Sequence, residues 1–292
     1  MWLELGIILL TLLFVWHYKK VKEHPPGPFS LPIIGTIGLL AKGGGSKSGA
    51  VFAKEYFGYK DWYTIFVGNV TAVVLNDFQL CKELFSRDEF AGRESSWWHS
   101  NIRGINGRNL GIITTEGQTW TTQRRFALKQ LRDLGFGKKS LDSIMVEEVD
   151  DIIEEMLKNG TVKMDGTFNT GIINVLWQIV ASKRLDPNKA ETKALMNRIT
   201  EIVSAGLSPK SYLPKVLAKN LPYDKIDMGM TDMKKMMYDQ IQEHLIDMDP
   251  DHPRDFIDVY LRQISQDAVN FDVEQLVIIC SDFFFAGSET TA

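Results

Sequence analysis

Asp272-Val273-Glu274-Gln275-Leu276-Val277-Ile278-Ile279-Cys280-Ser281-Asp282-Phe283-Phe284-Phe285-Ala286-Gly287-Ser288-Glu289-Thr290-Thr291-Ala292 is the stretch on which the fold turns. Asp272, with Gln275 three residues on, has the form of a capping box, so a helix starts there. Leu276-Val277-Ile278-Ile279 continue it, and no stop signal ends it before Ala292. Phe283-Phe284-Phe285 leading into Ala286-Gly287 is odd for a plain core helix, because glycine in mid-helix costs about 1 kcal/mol. The missing side chain lets a bulky group lie against the backbone. Glu289 and Thr290 then bring an acid and an alcohol together, a pairing suited to passing protons through water. A plainer reading stands beside this one: Ser288, Glu289 and Thr290 mark a helix emerging into solvent.

Upstream, apolar residues recur at helical spacing over 119–131, 140–158, 168–181, 190–205, 231–247 and 256–264. Tyr63–Val67 and Ala72–Leu75 are short β-rich runs joined by Gly68-Asn69-Val70-Thr71 and read as a hairpin. Asp77 caps a helix reaching about Phe85. Ser95–Thr115, rich in Gly, Asn and Trp, reads as a long functional loop. The fold class is therefore mainly α with a small N-terminal β element. Met228, Met230, Met233, Met236 and Met237 read as adaptable core. Gly43–Gly49 is a flexible loop that lacks the Gly-Lys-Ser order of a phosphate loop.

Met1 to Trp16 is nearly all apolar and is followed by Lys19, Lys20 and Lys22. A cleaved signal peptide places its positive charges before the apolar run. Here the lysines follow it and hold that side in the cytoplasm, which describes a transmembrane signal-anchor over 1–18. The run is shorter than the ~20 residues a span prefers, so Trp16 and Tyr18 sit at headgroup level. The rival reading is an amphipathic or buried helix. A basic, proline-rich hinge follows over 19–35, and Pro25-Pro26-Gly27-Pro28 ends the anchor helix there. The body runs from 36 to 292. Asn69-Val70-Thr71 and Asn159-Gly160-Thr161 have glycosylation spacing but go unused on a cytoplasmic body.

The chain of 292 residues is 44% hydrophobic and 24% charged, enough to bury a sizeable core. Residues 1–139 carry 18 Lys and Arg against 11 Asp and Glu, whereas 140–292 carry 15 against 26. A basic front suits an anionic partner or a lipid surface. No basic run with interleaved aromatics supports nucleic-acid binding. Cys81 and Cys280, in no CxxC spacing, argue against a disulfide framework or a zinc site and read as small buried hydrophobes.

Trp120 and Arg124 stand i and i+4 on one helix face, where an indole N–H and a guanidinium fork suit a carboxylate. A stacked Trp–Arg pair on a surface helix is the plainer account. Arg125, Lys129 and Arg132 form a second stripe, which by itself reads as a solvated face.

Taken in order, the anchor, the proline elbow with Leu31-Pro32-Ile33-Ile34-Gly35, the early strands, Trp120–Arg124, Phe136-Gly137 and Ala286–Thr291 resemble the microsomal cytochromes P-450. The phrase from Gly117 to Leu141 is similar to the family-two clan that handles fatty acids, steroids, terpenoids and foreign compounds. The resemblance implies an incomplete cytochrome P-450 fold and a haem-thiolate monooxygenase of the endoplasmic reticulum membrane, with its catalytic body in the cytoplasm. It implies that Trp120 and Arg124 hold the propionates of haem b, and that Ala286 and Gly287 lie over the ring. Thr290, backed by Glu289, would deliver protons for oxygen activation. Ile113, Thr114, Asp282 and Phe285, with helices between about 197 and 223, would line a pocket for a lipophilic substrate. Arg125, Lys129 and Arg132 would dock an NADPH–cytochrome reductase or cytochrome b5. Trp97-Trp98 and the stretch 213–223 would touch the bilayer. The sequence departs from the family in one respect: the Phe-x-x-Gly-x-Arg-x-Cys-x-Gly loop that supplies the iron ligand is absent and is expected beyond Ala292. No metal ligand is therefore expected in this chain, which reads as a fragment inactive alone. Two rivals remain: a membrane-tethered lipid- or steroid-binding protein without catalysis, and a helical scaffold with chance motifs.

Overall fold

The structure, a computed structural model, describes residues 2–33, 35–36, 61–68, 70–93, 95–159, 167–187, 189–205 and 208–288. The chain divides into two compact units, Met1–Gly92 with Tyr212–Asn220, and Arg93–Ser211 with Leu221–Ala292.

The first unit opens with helix α1 (Trp2–Lys22), which is long and apolar enough to cross a membrane. The helix ends at Lys22, just before the prolines at 25 and 26 that end it. His17 is buried near its end, and its Nε2 meets Ser30 Oγ at 2.8 Å. Phe66 takes the edges of both His17 and His24, with ring centroids 5.8 and 5.5 Å away. The hinge is tied to strand β1 (Trp62–Val67): Thr64 N–H donates to the Pro26 carbonyl at 3.0 Å, and Thr36 N–H to the Phe66 carbonyl at 2.5 Å. Strand β2 (Val70–Leu75) pairs antiparallel with β1, from Trp62 opposite Leu75 to Val67 opposite Val70. The hairpin is thus tighter than the sequence suggests. Gly68, at φ +57°, takes the left-handed conformation this turn needs, and a Cβ there would overlap the Tyr212 carbonyl. Asp77 caps helix α2 (Phe78–Phe85) by accepting from Leu80 N–H at 2.7 Å.

The second unit holds seven longer helices among the described residues: α3 (Gly117–Asp133), α4 (Asp142–Asn159), α5 (Asn169–Ala181), α6 (Ala190–Ala205), α7 (Lys225–Asp247), α8 (Phe256–Gln266) and α9 (Val273–Ser288). Leu276, Val277, Ile278, Ile279 and Cys280 are all at most 1% exposed, so this stretch of α9 is enclosed on every side. A helix apolar all round has to be. Ile173, Trp177 and Val180 of α5, Met233, Met237 and Ile241 of α7, and Phe256 and Tyr260 of α8 pack into the same core. Trp177 meets Phe284 edge to face at 4.7 Å. Of the methionines read as core, Met230, Met233 and Met237 are buried and Met228 is exposed.

Two helix starts differ from expectation. Helix α7 begins at Lys225 because Asp224 and Asp227 form a reciprocal capping box. At α9 only half of the expected box forms: Asp272 accepts from Gln275 N–H at 2.8 Å, while the Gln275 side chain reaches Gly111.

The end of α7 is locked to the start of α8. His244 Nε2 meets Asp255 at 2.9 Å, and Asp255 also caps α8 through Asp258 N–H at 3.0 Å. Burial alone would lower the His244 pKa. The hydrogen bonds with Asp255 and the Gln240 carbonyl, with the charges of Asp255 and Asp258, carry it above the ordinary value. A histidine whose pKa rises on folding contributes fully below its unfolded value of about 6.5 and loses that contribution as pH climbs through the folded value. The variant His244→Gln is accordingly expected to lose about 3 kcal/mol of stability near pH 5.5. The deficit should narrow by about pH 9. Thermal denaturation at the two pH values measures this, and an equal deficit at both would contradict a charged His244.

Candidate functional site

Helix α9 meets its surroundings on two working faces, of which the first carries Gln275, Ile278, Asp282 and Phe285. Opposite it lies the 95–115 stretch, which is more ordered than its composition suggests. Trp97 and Trp98 are helical, and His99–Arg103 completes a π-type turn closed by Gly104 N–H on the His99 carbonyl at 2.8 Å. Such turns are rare and gather at functional sites.

Buried charges fix this turn in place. Trp98 Nε1–H donates to Asp227 at 2.7 Å, and Asp227 is also paired with Lys210. Lys234 donates to the carbonyls of Ile102 and Gly104 at 2.6 and 2.9 Å, satisfying the carbonyl end of the turn. Arg103 donates to the Leu110 carbonyl at 3.0 Å and to Thr114 Oγ1 at 2.5 Å, and forms an ion pair with Asp282. The second Asp282 oxygen accepts from Ile112 N–H at 2.6 Å and Ile113 N–H at 3.0 Å. Gln275 brackets Gly111, accepting from its N–H at 3.2 Å and donating to its carbonyl at 3.3 Å. Gly111 has φ +88°, and a Cβ there would overlap the Asp282 carboxylate and Ile278. The Arg103 and Asp282 side chains are only 7% and 4% exposed. Stripping one partner from such a pair leaves an uncompensated buried charge, at a cost of about 3–5 kcal/mol. Burial, and then the Arg103 charge, bring the His99 pKa down to about 4 and also lower that of Lys234.

The residues expected to contact substrate therefore divide. Asp282 is engaged by Arg103 and two amides, because a carboxylate inside an apolar helix must be neutralised and hydrogen-bonded. Thr114 is buried and bonded to Arg103 and Asn109. Ile113 keeps an exposed face, and Phe285 packs beside Trp98, Ile102 and Met230. Trp98, expected at the bilayer, is 1% exposed and occupied by Asp227.

The second face of α9 carries Phe283, Ala286 and Gly287 into an apolar groove of about 550 Å³, whose other walls come mainly from α4 and α5. Gly287 backs onto Leu176 of α5, so within the described residues its missing side chain admits a neighbouring helix. Glu289 and Thr290 lie outside the described residues.

On α3, the Arg124 guanidinium stacks over Trp120, 5.4 Å from the ring centroid. Among the described residues neither has an acceptor, so their donors converge unpaired on one helix face. The rotation of α3 is fixed from its buried side by Gln123, which donates to the Asn270 carbonyl at 2.6 Å and accepts from Tyr260 Oη at 2.7 Å. Phe126 packs against Phe256, Tyr260 and Phe271 on the same side. Arg125, Lys129 and Arg132 are exposed, with no ion pair among the described residues. Cys280 is fully buried, and burial pushes its thiol pKa up, which disfavours a thiolate. Cys81 is half-buried on α2, not enclosed as expected.

Sequence reasoning did not find Arg103, Lys234 or the Lys210–Asp227 pair. The one available signal was Asp282 itself, since a carboxylate within an apolar helix demands a partner; nothing in the sequence identified Arg103, 179 positions away, as that partner.

Residues 25–292 match the family described as Cytochrome P450. The chain is 33% identical to Cytochrome P450 2C16 of Oryctolagus cuniculus and 30% identical to Cytochrome P450 2J3 of Rattus norvegicus. Each similarity covers 99% of this chain and 60% of the relative, so the chain spans 60% of the length of these relatives.

Gly111→Ala is expected to destabilise the protein by more than about 2 kcal/mol, because it adds both a φ penalty and a clash with Asp282. Urea denaturation reads the difference, and a neutral result would show that the loop can leave α9 without penalty.

Proposed function

Because the chain belongs to the cytochrome P450 family, we propose that the whole protein is a haem-dependent monooxygenase acting on a lipophilic substrate such as a fatty acid, steroid, terpenoid or foreign compound. One atom of dioxygen enters the substrate, and the electrons come from NADPH through a reductase. The observation that carries this reading is the convergence of unpaired Trp120 and Arg124 donors on α3. An indole N–H and a guanidinium stacked together suit the carboxylates of haem b, and Arg is permanently charged.

Trp120 and Arg124 would hold those carboxylates, with Ala286 and Gly287 of α9 offering small side chains beside the ring. When bound, haem supplies the iron centre at which dioxygen is reduced. The iron ligand would then come from outside this chain, since Cys280 is sealed in the apolar core and Cys81 lies on α2, neither within a Phe-x-x-Gly-x-Arg-x-Cys-x-Gly loop. Glu289 and Thr290 would hold and pass protons through water to the reacting oxygen. Ile113 and Phe285 would present apolar surface to the substrate. Asp282 and Thr114 would shape that surface from behind.

In this proposal α1 anchors the protein in the endoplasmic reticulum membrane and its flanking lysines keep the body in the cytoplasm. The exposed side chains of Val216, Leu217, Leu221 and Tyr223 suit contact with lipid. The stripe of Arg125, Lys129 and Arg132 would receive an acidic reductase or cytochrome b5, chiefly by accelerating encounter.

The test is the reduced carbon-monoxide difference spectrum of the full-length protein. A Soret band at the thiolate-haem position is expected, and Arg124→Ala should retain less haem. Full-length protein that takes up no haem would favour a tethered lipid- or steroid-binding protein. The triple reversal Arg125→Glu, Lys129→Glu and Arg132→Glu should slow reductase association by about tenfold or more at low salt, with the gap closing at high salt. Stopped-flow reduction measures it, and an unchanged rate would exclude this surface.

A further inference from the structure

We infer that Arg103 is a positioning residue: with Asp282 it clasps the 110–114 segment to α9 and thereby sets one wall of the substrate pocket. The inference rests on the pocket assignment just proposed. One guanidinium reaches three targets that differ in kind. It bonds the Leu110 carbonyl and the Thr114 hydroxyl within the loop, and the Asp282 carboxylate on the helix. Asp282 completes the clasp by accepting the Ile112 and Ile113 amides on its other oxygen. Loop and helix are thus joined through a single carboxylate, and the side chain of Ile113 follows directly from an amide held at 3.0 Å.

Two features set Arg103 apart from an ordinary buried salt bridge. First, its backbone lies in the π-type turn whose carbonyl end Lys234 of α7 satisfies, so its own position is fixed independently of Asp282. The guanidinium therefore transmits the place of α7 to the loop. Second, Phe285, one turn beyond Asp282, packs on the same turn. Any shift of Asp282 or Arg103 would move Ile113 and Phe285 relative to each other. Those are the two apolar groups proposed to face substrate. A buried ionic clasp with several directed hydrogen bonds holds one geometry more narrowly than apolar packing of equal area, because its partners are directional.

The test uses full-length protein and the variants Arg103→Lys, Arg103→Met, Asp282→Asn and the double variant Arg103→Met/Asp282→Asn. Amide hydrogen exchange over 110–114 reads the clasp without turnover. Arg103→Met and Asp282→Asn should each speed exchange at Ile112 and Ile113 by about tenfold or more. The double variant, which buries no unpaired charge, should exchange more slowly than the product of the single effects predicts. Arg103→Lys keeps the charge but offers its donors from one nitrogen in place of the planar fork, and should fall between wild type and Arg103→Met. It also keeps the test open if the methionine variant does not fold. In turnover, the same variants should change KM and the ratio of hydroxylated products more than kcat. Exchange at 110–114 that stays at the wild-type rate in Arg103→Lys and in every folded variant would overturn the clasp. Faster exchange with unchanged KM and product ratios would overturn the pocket assignment and, with it, the inference, while leaving the clasp as a structural fact.

Discussion

A helix whose every azimuth is apolar cannot rest on a surface, and five consecutive buried residues of α9, Leu276 to Cys280, make it such a helix. Burying them requires neighbours on all sides, and α5, α7 and α8 together with the 110–114 segment supply those neighbours. The arrangement of the second unit follows from this demand. Helix α5 brings Trp177 against Phe284, α8 brings Phe256 against Phe283, and α7 closes the remaining arc with Met233, Met237 and Ile241. Helix α3 is then oriented by what α8 leaves exposed: Tyr260 and the aromatic edge of Phe271 fix Gln123 and Phe126. With that orientation Trp120 is half-buried and Arg124 exposed, and among the described residues neither has an acceptor.

The same demand explains why the polar residues on α9 are so tightly engaged. Inside an enclosed helix, Asp282 and Gln275 have no access to water, and each must find its partners in the chain that covers it. Gln275 takes both backbone groups of Gly111, and Asp282 takes the next two amides and Arg103. The 95–115 stretch is therefore ordered by the helix it covers, although its sequence is full of turn formers. Lys234 and Asp227 repeat the device from α7, each satisfying groups that the π-type turn would otherwise bury without partners.

Local signals carried most of the fold in the sequence. Periodicity located α3, α4, α5, α6 and α8 to within a few residues, Asp272 and the apolar run after it located α9, and Asp77 announced α2. What escaped were features decided by distant partners. The early start of α7 needed Asp227 to be read as a capping residue, although it also serves Trp98 and Lys210. The side chain of Gln275 was assigned to its own helix start, because sequence neighbours suggested a reciprocal box and Gly111 lies 164 positions away. For Trp98 the preference of aromatics for the membrane interface suggests contact with lipid, whereas its burial depends on Ile202 and Met230 of two later helices. In the candidate site, Trp120 and Arg124 were legible from an i, i+4 spacing. Asp282 was legible as special but not as to its partner.

The uneven charge and the α3 stripe were legible in the sequence, but the partners of the individual acids were not. The basic front and acidic remainder of the sequence become two differently built surfaces of the second unit. On α3, Arg125, Lys129 and Arg132 stand exposed, without acids to neutralise them among the described residues. On α4, the acids are partly engaged: Glu148 is buried against Asn174 and Arg184, and Asp151 shares the same arginine. These ion pairs leave the net charge unchanged, since each takes up a cation with its acid; the α3 cations stand apart because no acid is paired with them among the described residues. An anionic partner approaching this unit meets uncompensated charge on the helix that also carries Arg124. Because exposed charges act beyond contact over about a Debye length of 8–10 Å, the stripe can orient such a partner before any side chain touches it. The docking stripe and the haem-holding Arg124 that we propose share one helix, whose own geometry fixes their relation, while Gln123 sets the rotation of that helix against Asn270 and Tyr260.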